Sequence, residues 1–151
     1  MRVPAFLVSL VLLVLIPAVS ASATPPETIT IDTYRERGSP GTFSLSGVIT
    51  DSGTFTTANL VFSGIGAPNF LIIHATYEFV GSLGTFILRT QITETLTADP
   101  NVLTGNGNWV ILSGTGAYEG LNAQGEITGV TDENLEPDVF IRLYTGKAHS
   151  D

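Results

Sequence analysis

Residues 114–129, GTGAYEGLNAQGEITG, decide the fold class of this chain, because they directly follow the apolar run 109–112. An apolar strand that runs into spaced glycines opens many dinucleotide-binding domains, where a helix follows and its first amides face the pyrophosphate. Here the following residues include Gly125 and Gly129, and glycine costs about 1 kcal/mol per site inside a helix. The same segment alternates polar residues with Ile127, as a strand does. We therefore predict a glycine-rich corner between two strands, and no nucleotide-binding loop.

The glycines of this corner have a structural use. Gly114, Gly116 and Gly120 permit positive φ angles and a close approach of the backbone to its neighbours. Such a turn would let Tyr118 and Leu121 fold back onto the protein as apolar plugs.

The rest of the chain shows the same period-two alternation, with many β-branched and aromatic residues. Eight segments follow it, namely 27–35, 42–50, 54–62, 70–80, 85–96, 108–113, 122–130 and 138–147. Most connections are short; residues 51–53 suit a hairpin turn, and 97–107 suit a longer loop. An even number of strands with short links predicts an all-β fold, an eight-stranded antiparallel closed barrel without exposed edges. A two-sheet sandwich is the alternative.

The first 23 residues have the pattern of a secretory signal peptide. Arg2 is followed by an apolar stretch at 6–18 and by the small-residue cleavage site Ala-Ser-Ala at 21–23. A membrane anchor is the alternative, but the stretch is short for a span of about 20 residues. We expect a secreted protein, extracellular or periplasmic, without a stable membrane anchor. Residues 24–40 would form a tether and the first strand, and 41–151 the remainder of a single barrel domain.

Composition excludes several classes of function. Without residues 1–23, five basic residues stand against 14 acidic ones, which disfavours nucleic acid as a partner. The chain has no cysteine, so it has neither disulfides nor thiolate chemistry. There is no Gly-x-Ser-x-Gly elbow for a nucleophilic serine and no His-Glu-x-x-His zinc motif. Acidic residues cluster at 132–138 without the spacing of a calcium-binding loop, so we interpret them as a solvated loop and predict no metal site.

Residues 109–120, WVILSGTGAYEG, resemble the Gly-Thr-Gly-Ala-Tyr-x-Gly-Leu signature of small secreted bacterial barrels related to plant allene oxide cyclases and dirigent proteins. The turn at 51–54 and the segment 74–88 stand at fitting places, so the resemblance covers most of the mature chain in strand order. It implies an eight-stranded, calycin-like barrel with a mostly apolar cavity, often trimeric, that needs no metal or organic cofactor. In the plant families the cavity binds an oxidised fatty acid or a phenoxy radical and steers its cyclisation or coupling. Activity does not follow from the fold alone.

Glu94 is the candidate catalytic residue. It shares one face of its strand with Phe86, Leu88 and Ile92. If that face lines the cavity, a buried carboxyl group there could act as a general acid or base. The alternative is that Glu94 lies near the end of its strand and reaches water at the rim. Plant cyclases use a cavity glutamate, but no local motif here matches it to Glu94, so the role is not transferred.

The candidate ligand-binding residues are of two kinds. Aromatic walls would come from Tyr77, Trp109 and Tyr144. His74 is the acid–base candidate among the histidines; the alternatives are a polar outer face or an interior histidine whose hydrogen bonds are satisfied. Arg89 lies amid apolar neighbours and would hold a carboxylate ligand bidentately or form a cross-strand ion pair, as would Arg142.

Three functions follow from these residues. The barrel could template the cyclisation or coupling of an apolar small molecule, it could bind such a molecule without turnover as lipocalins do, or it could be a structural protein with a filled interior. Several strands are apolar on both faces, which suggests that the outer wall packs against other copies in a homo-oligomer.

Overall fold

The computed structural model describes residues 25–64 and 70–150, so the predicted signal peptide lies outside the described residues. Eight strands form within these ranges. They are β1 (Glu27–Glu36), β2 (Gly41–Gly47), β3 (Asp51–Ser63), β4 (Phe70–Gly81), β5 (Thr85–Leu96), β6 (Val102–Gly114), β7 (Leu121–Asp132) and β8 (Val139–Ser150). Each strand pairs antiparallel with the next, and β8 pairs with β1, so the sheet closes on itself. The predicted all-β, eight-stranded antiparallel barrel is confirmed, and the sandwich does not form.

The alternation along each strand separates the barrel interior from its outer surface. On β4, Ala75 and Phe79 are buried, whereas Glu78 and Val80 between and beside them are exposed. A bulge between Thr57 and Asn59 shifts the register of β3 by one residue. Such a shift moves the following side chains to the opposite face of the sheet. The second half of β3 therefore presents a different set of residues to the interior than simple alternation predicts.

One end of the barrel is filled by stacked aromatic rings. Phe79 stacks on Phe86 with ring centroids 4.5 Å apart and on Phe55 at 5.0 Å. Phe43 meets Phe79 edge-on at 5.2 Å, and Tyr118 covers Phe86 at 4.7 Å. These are the separations at which aromatic pairs add stability beyond the area they bury. The interior at this end is therefore a packed core.

The glycine-rich corner closes that end of the barrel. It contains a single 3-10 turn at Gly116–Tyr118, with φ of 61° at Gly116 and 71° at Gly120. A Cβ atom at Gly116 would stand 2.2 Å from the carbonyl oxygen of Leu83, so the turn requires glycine there. Tyr118 is fully buried and Leu121 is 5% exposed. The prediction that these two side chains plug the barrel is confirmed.

A buried carboxylate at the start of β3 ties the plug to the turn between β4 and β5. Asp51 accepts hydrogen bonds from the Tyr118 hydroxyl (2.7 Å), from the amide and hydroxyl of Ser82 (3.1 and 2.5 Å), and from the amides of Leu83 and Ser52 (3.1 and 2.8 Å). Burial raises the pKa of Asp51, but these hydrogen bonds outweigh burial and hold that pKa well below its usual range.

Two local predictions are wrong. The hairpin turn lies at 48–50 and not at 51–53, because Asp51 turns its side chain towards Ser82 and starts β3. The predicted loop 97–107 ends at residue 101, since β6 begins at Val102. Gly105 and Gly107 have low strand propensity, but pairing with strands on both sides overrides it.

Candidate functional site

The other half of the barrel interior is a cavity of about 660 Å³. It lies at the end where β1 passes to β2 and where β8 begins, opposite the plug formed by Tyr118. Its apolar wall comes from β3, β4 and β5, and includes Leu60, Phe62, Leu71, Ile73 and Ile92. The bulge in β3 produces part of this wall, because it pairs Leu60 with Ala75 and Phe62 with Ile73, which lie on the inner face.

The polar wall of the cavity is built around the predicted catalytic residue. Glu94 lines the cavity and is 5% exposed. One of its carboxylate oxygens forms an ion pair with Arg142 and accepts a hydrogen bond of 2.7 Å from the Thr131 hydroxyl. Arg142 also donates to Thr131 (2.8 Å) and to the carbonyl oxygen of Val130 (2.7 Å). Because Arg142 supplies the opposite charge, Glu94 is not the isolated carboxyl group in an apolar pocket on which the acid–base interpretation rested.

Two glycines allow Glu94 and Arg142 to meet across two intervening strands. Glu94 on β5 pairs with Gly105 on β6, which pairs with Gly129 on β7, which pairs with Arg142 on β8. A Cβ atom at Gly129 would stand 2.4 Å from Cδ of Arg142, and one at Gly105 would stand 2.6 Å from Cδ1 of Ile92. A side chain at Gly129 would therefore displace Arg142 from its position beside Glu94, whereas one at Gly105 would first meet the end of the Ile92 side chain.

Two tyrosines complete the deep part of the cavity. Tyr77 and Tyr144 both line it. Burial raises the pKa of Tyr77, and it raises the pKa of Tyr144 well above its usual range. Both phenols are therefore neutral near neutral pH, so neither can serve as a phenolate base, and the Tyr144 hydroxyl shares a hydrogen bond with Thr33.

Trp109, the third aromatic residue predicted for the cavity wall, lies behind Tyr144. Trp109 is buried, and its indole N–H donates to the carbonyl oxygens of Glu126 (2.9 Å) and Thr145 (3.2 Å). Its ring meets Tyr144 edge-on with centroids 6.1 Å apart. Trp109 therefore supports the cavity residue Tyr144 from behind and is not among the residues that line the cavity.

His74 and Arg89 lie away from the cavity. They alternate with the inward-facing Ala75 and Thr90 and so point to the outer surface of the barrel. There they line a separate depression of about 480 Å³ together with Gln91. Arg89 and Glu94 stand on opposite faces of β5, so of the two arginines considered from sequence only Arg142 reaches the candidate site.

Two arginines at the cavity mouth were missed by the sequence analysis. Arg35 and Arg37 both line the cavity, and both guanidinium groups lie over the Phe140 ring, at 4.9 and 5.5 Å from its centroid. The alternation of β1 would have found Arg35, which continues the inward series of Ile29 and Ile31, whereas Arg37 lies just beyond the end of that strand.

The residues that approach one another here do not form a metal centre. Within residues 25–64 and 70–150, no group of three or more His, Asp or Glu side chains is placed to hold a metal ion. Of the acidic residues near 132–138, Glu133 and Asp138 form ion pairs with Arg37. The same ranges contain no helix with the length and apolar character needed to cross a membrane.

The geometry therefore defines a closed antiparallel β-barrel with one packed end and one amphipathic cavity. Comparison of the chain with protein-family models, with curated proteins and with solved structures finds no significant match.

Proposed function

We propose that this chain is a secreted barrel that binds a small, largely apolar molecule in its cavity. The observation that carries the proposal is the asymmetry of the interior: aromatic rings pack one end, and the other end keeps about 660 Å³ between an apolar and a polar wall. Pockets of this size that are mainly apolar, with a few converging polar groups, are the usual form of small-molecule sites. A structural barrel would gain stability by filling this space with side chains.

A neutral fluorescent probe, phenylnaphthylamine, tests this proposal on the mature protein. Binding should appear as a saturable rise in fluorescence. Ile73→Trp places a large side chain in the cavity and should weaken binding by about tenfold or more, equivalent to about 1.4 kcal/mol. Ile72→Trp is the matched control, because Ile72 is the next residue on β4 and its side chain points the opposite way. It should leave binding unchanged.

Native mass spectrometry of protein purified from its own secretion route is the complementary measurement. A co-purifying lipid or phenolic would support the proposal and identify the class of molecule to test for turnover. A parent protein that binds no probe and carries no ligand would overturn the proposal in favour of a structural barrel.

Turnover of the bound molecule is the second candidate function. Glu94, Arg142 and Thr131 form a hydrogen-bonded group on the cavity wall, next to the neutral phenol of Tyr77. Such a group could orient a reactive molecule and stabilise developing charge while the wall restricts its conformers, as the resemblance to allene oxide cyclases and dirigent proteins suggests. Glu94→Gln should then abolish conversion of a candidate substrate while probe binding persists. Conversion that survives this substitution would exclude the role of Glu94.

Self-association belongs to the same proposal. On the outer wall Val130, Ile141 and Tyr34 are register neighbours on β7, β8 and β1, and all three are exposed. Exposed apolar residues in one row are typical of a contact between subunits. Sedimentation velocity should show an oligomer that Ile141→Glu dissociates; a monomeric parent would exclude it.

A further inference from the structure

We propose that the cavity ligand is an anion and that Arg35 binds its acidic group at the cavity mouth. This inference rests on the proposed binding function, and it names the chemistry of the bound molecule: an apolar body that ends in a carboxylate, sulfonate or similar group.

The first support is the distribution of basic residues. The chain carries a formal net charge of −8. Residues 25–64 and 70–150 contain five basic residues, and three of them, Arg35, Arg37 and Arg142, line this one cavity. Among the described residues, the carboxylates of Glu94 and Glu133 line it with them, and Asp138 lies beside it as an ion-pair partner of Arg37. Three of the five basic residues of these ranges thus converge on one cavity of an acidic protein, which concentrates the groups that attract anions in one place.

The second support is that two of the three guanidinium groups are already neutralised. Arg142 pairs with Glu94, and Arg37 pairs with Asp138 and, at 3.4 Å, with Glu133. Arg35 forms no ion pair with any carboxylate in residues 25–64 and 70–150. Arg35 is therefore the guanidinium of the cavity whose charge is left for a ligand.

The third support is the way in which Arg35 is held. One of its terminal nitrogens donates a hydrogen bond of 2.6 Å to the Thr57 hydroxyl, and its guanidinium lies over the Phe140 ring. A guanidinium carries five N–H donors in a fixed fork, so one bond to Thr57 leaves donors for a second partner. Carboxylates and sulfonates match this fork with two parallel hydrogen bonds. Ring contact and hydrogen bond together fix the orientation of the fork before a ligand arrives.

The apolar wall completes the binding site. Leu60, Phe62 and Leu71 line the same cavity as Arg35 but belong to the strands across from β8. A molecule with its acidic group on Arg35 would place its apolar body against this wall. Such a ligand would satisfy both walls, which a neutral hydrocarbon cannot do.

Two probes that share one aromatic body test the inference. Anilinonaphthalene sulfonate carries an acidic group, and phenylnaphthylamine is the same body without it. The parent protein should bind the sulfonate about tenfold more tightly than the neutral probe. Arg35→Gln should remove most of that difference, by weakening the sulfonate about tenfold and leaving the neutral probe within about twofold. Arg35→Lys keeps the charge but loses the fork, so it should retain part of the preference.

Arg89→Gln is the matched control, because it removes the same charge from the outer surface of the barrel. It should change neither affinity, and circular dichroism should show the same folded barrel for every variant. Equal affinity of the parent for both probes, or equal weakening of both by Arg35→Gln, would overturn the anion site while leaving the proposed cavity function intact. Failure of the parent to bind either probe would overturn the proposed function itself.

Discussion

The two ends of the barrel each bury a carboxylate, and they stabilise it in different ways. At the packed end Asp51 accepts five hydrogen bonds from neutral donors that belong to the plug, to the turn between β4 and β5, and to the neighbouring Ser52 of β3. At the cavity end Glu94 is held by the cation Arg142 and by one hydroxyl, and it faces open space.

This difference indicates that the carboxylate at the packed end serves stability, whereas the one at the cavity end is placed where a ligand can bind. The donors around Asp51 come from three segments that are separate in the sequence, so the hydrogen bonds to its carboxylate fix these segments relative to one another. The groups around Glu94 share a wall with a cavity, so a bound molecule can contact them. We therefore expect removal of the plug at the packed end to lower the free energy of unfolding more than removal of a side chain at the cavity mouth.

Removal of the plug should have the largest effect. Tyr118→Ala deletes a fully buried ring and the hydrogen bond to Asp51, and we expect a loss of about 4 kcal/mol in the free energy of unfolding. Phe140→Ala removes a half-buried ring at the cavity mouth and should cost about 1–2 kcal/mol. Urea unfolding of both variants measures the comparison. Equal losses would show that the two ends contribute equally to stability.

Separation of the buried ion pair should have the next largest effect. Glu94→Leu leaves the guanidinium of Arg142 without its carboxylate and should cost about 3 kcal/mol. The double variant Glu94→Leu with Arg142→Met removes both charges and should recover at least half of that loss, because no unpaired charge remains. Urea unfolding of the two single variants and the double variant closes the cycle. Strictly additive losses would contradict a coupled pair.

Asp51→Asn tests how much the hydrogen bonds accepted by the Asp51 carboxylate stabilise the fold, and how this contribution depends on pH. We expect a loss of about 2 kcal/mol at pH 7, because the charged acceptor of five hydrogen bonds is replaced by an amide. The pKa of Asp51 is lowered on folding, so the carboxylate stabilises the fold fully above its unfolded pKa and less as the pH falls. The difference between parent and variant should therefore shrink below about pH 4. Urea unfolding of parent and variant at neutral and acidic pH measures this difference in the free energy of unfolding. A difference that does not change with pH would exclude the ionised carboxylate as its source.

The exposed ion pairs of the cavity mouth should have the smallest effect. Arg37 and Glu133 have side chains that are 59% and 42% exposed, so water screens their attraction. Arg37→Ala should cost less than about 1 kcal/mol by urea unfolding. A larger loss would show that the mouth is held together by these charges and not by the barrel strands beneath it.

Much of the fold could be predicted because it depends on local pattern. Strand periodicity placed Phe86 on the same face of its strand as Glu94, and glycine spacing identified the corner with Tyr118. The start of β6 could not be predicted, since Gly105 and Gly107 have low strand propensity and only pairing with neighbouring strands orders them.

The candidate site was predicted in part. Glu94, Tyr77 and Tyr144 do line the cavity, because the strand faces on which sequence alternation places them turn inward in the closed barrel. Arg89 does not, because one position along a strand moves a side chain to the opposite face, and the apolar residues on both faces of β5 concealed which one points inward.

By itself, the sequence determined that the chain forms antiparallel strands, that its glycine-rich corner is a turn, and that an acidic residue stands in an apolar register at position 94. These properties follow from side-chain periodicity and backbone sterics within a few residues. Tertiary structure alone decided which end of the barrel is filled, that Glu94 meets Arg142, and that Arg35 has no carboxylate partner among the described residues. Those contacts depend on the register of strands far apart in the chain, which only closure of the barrel sets.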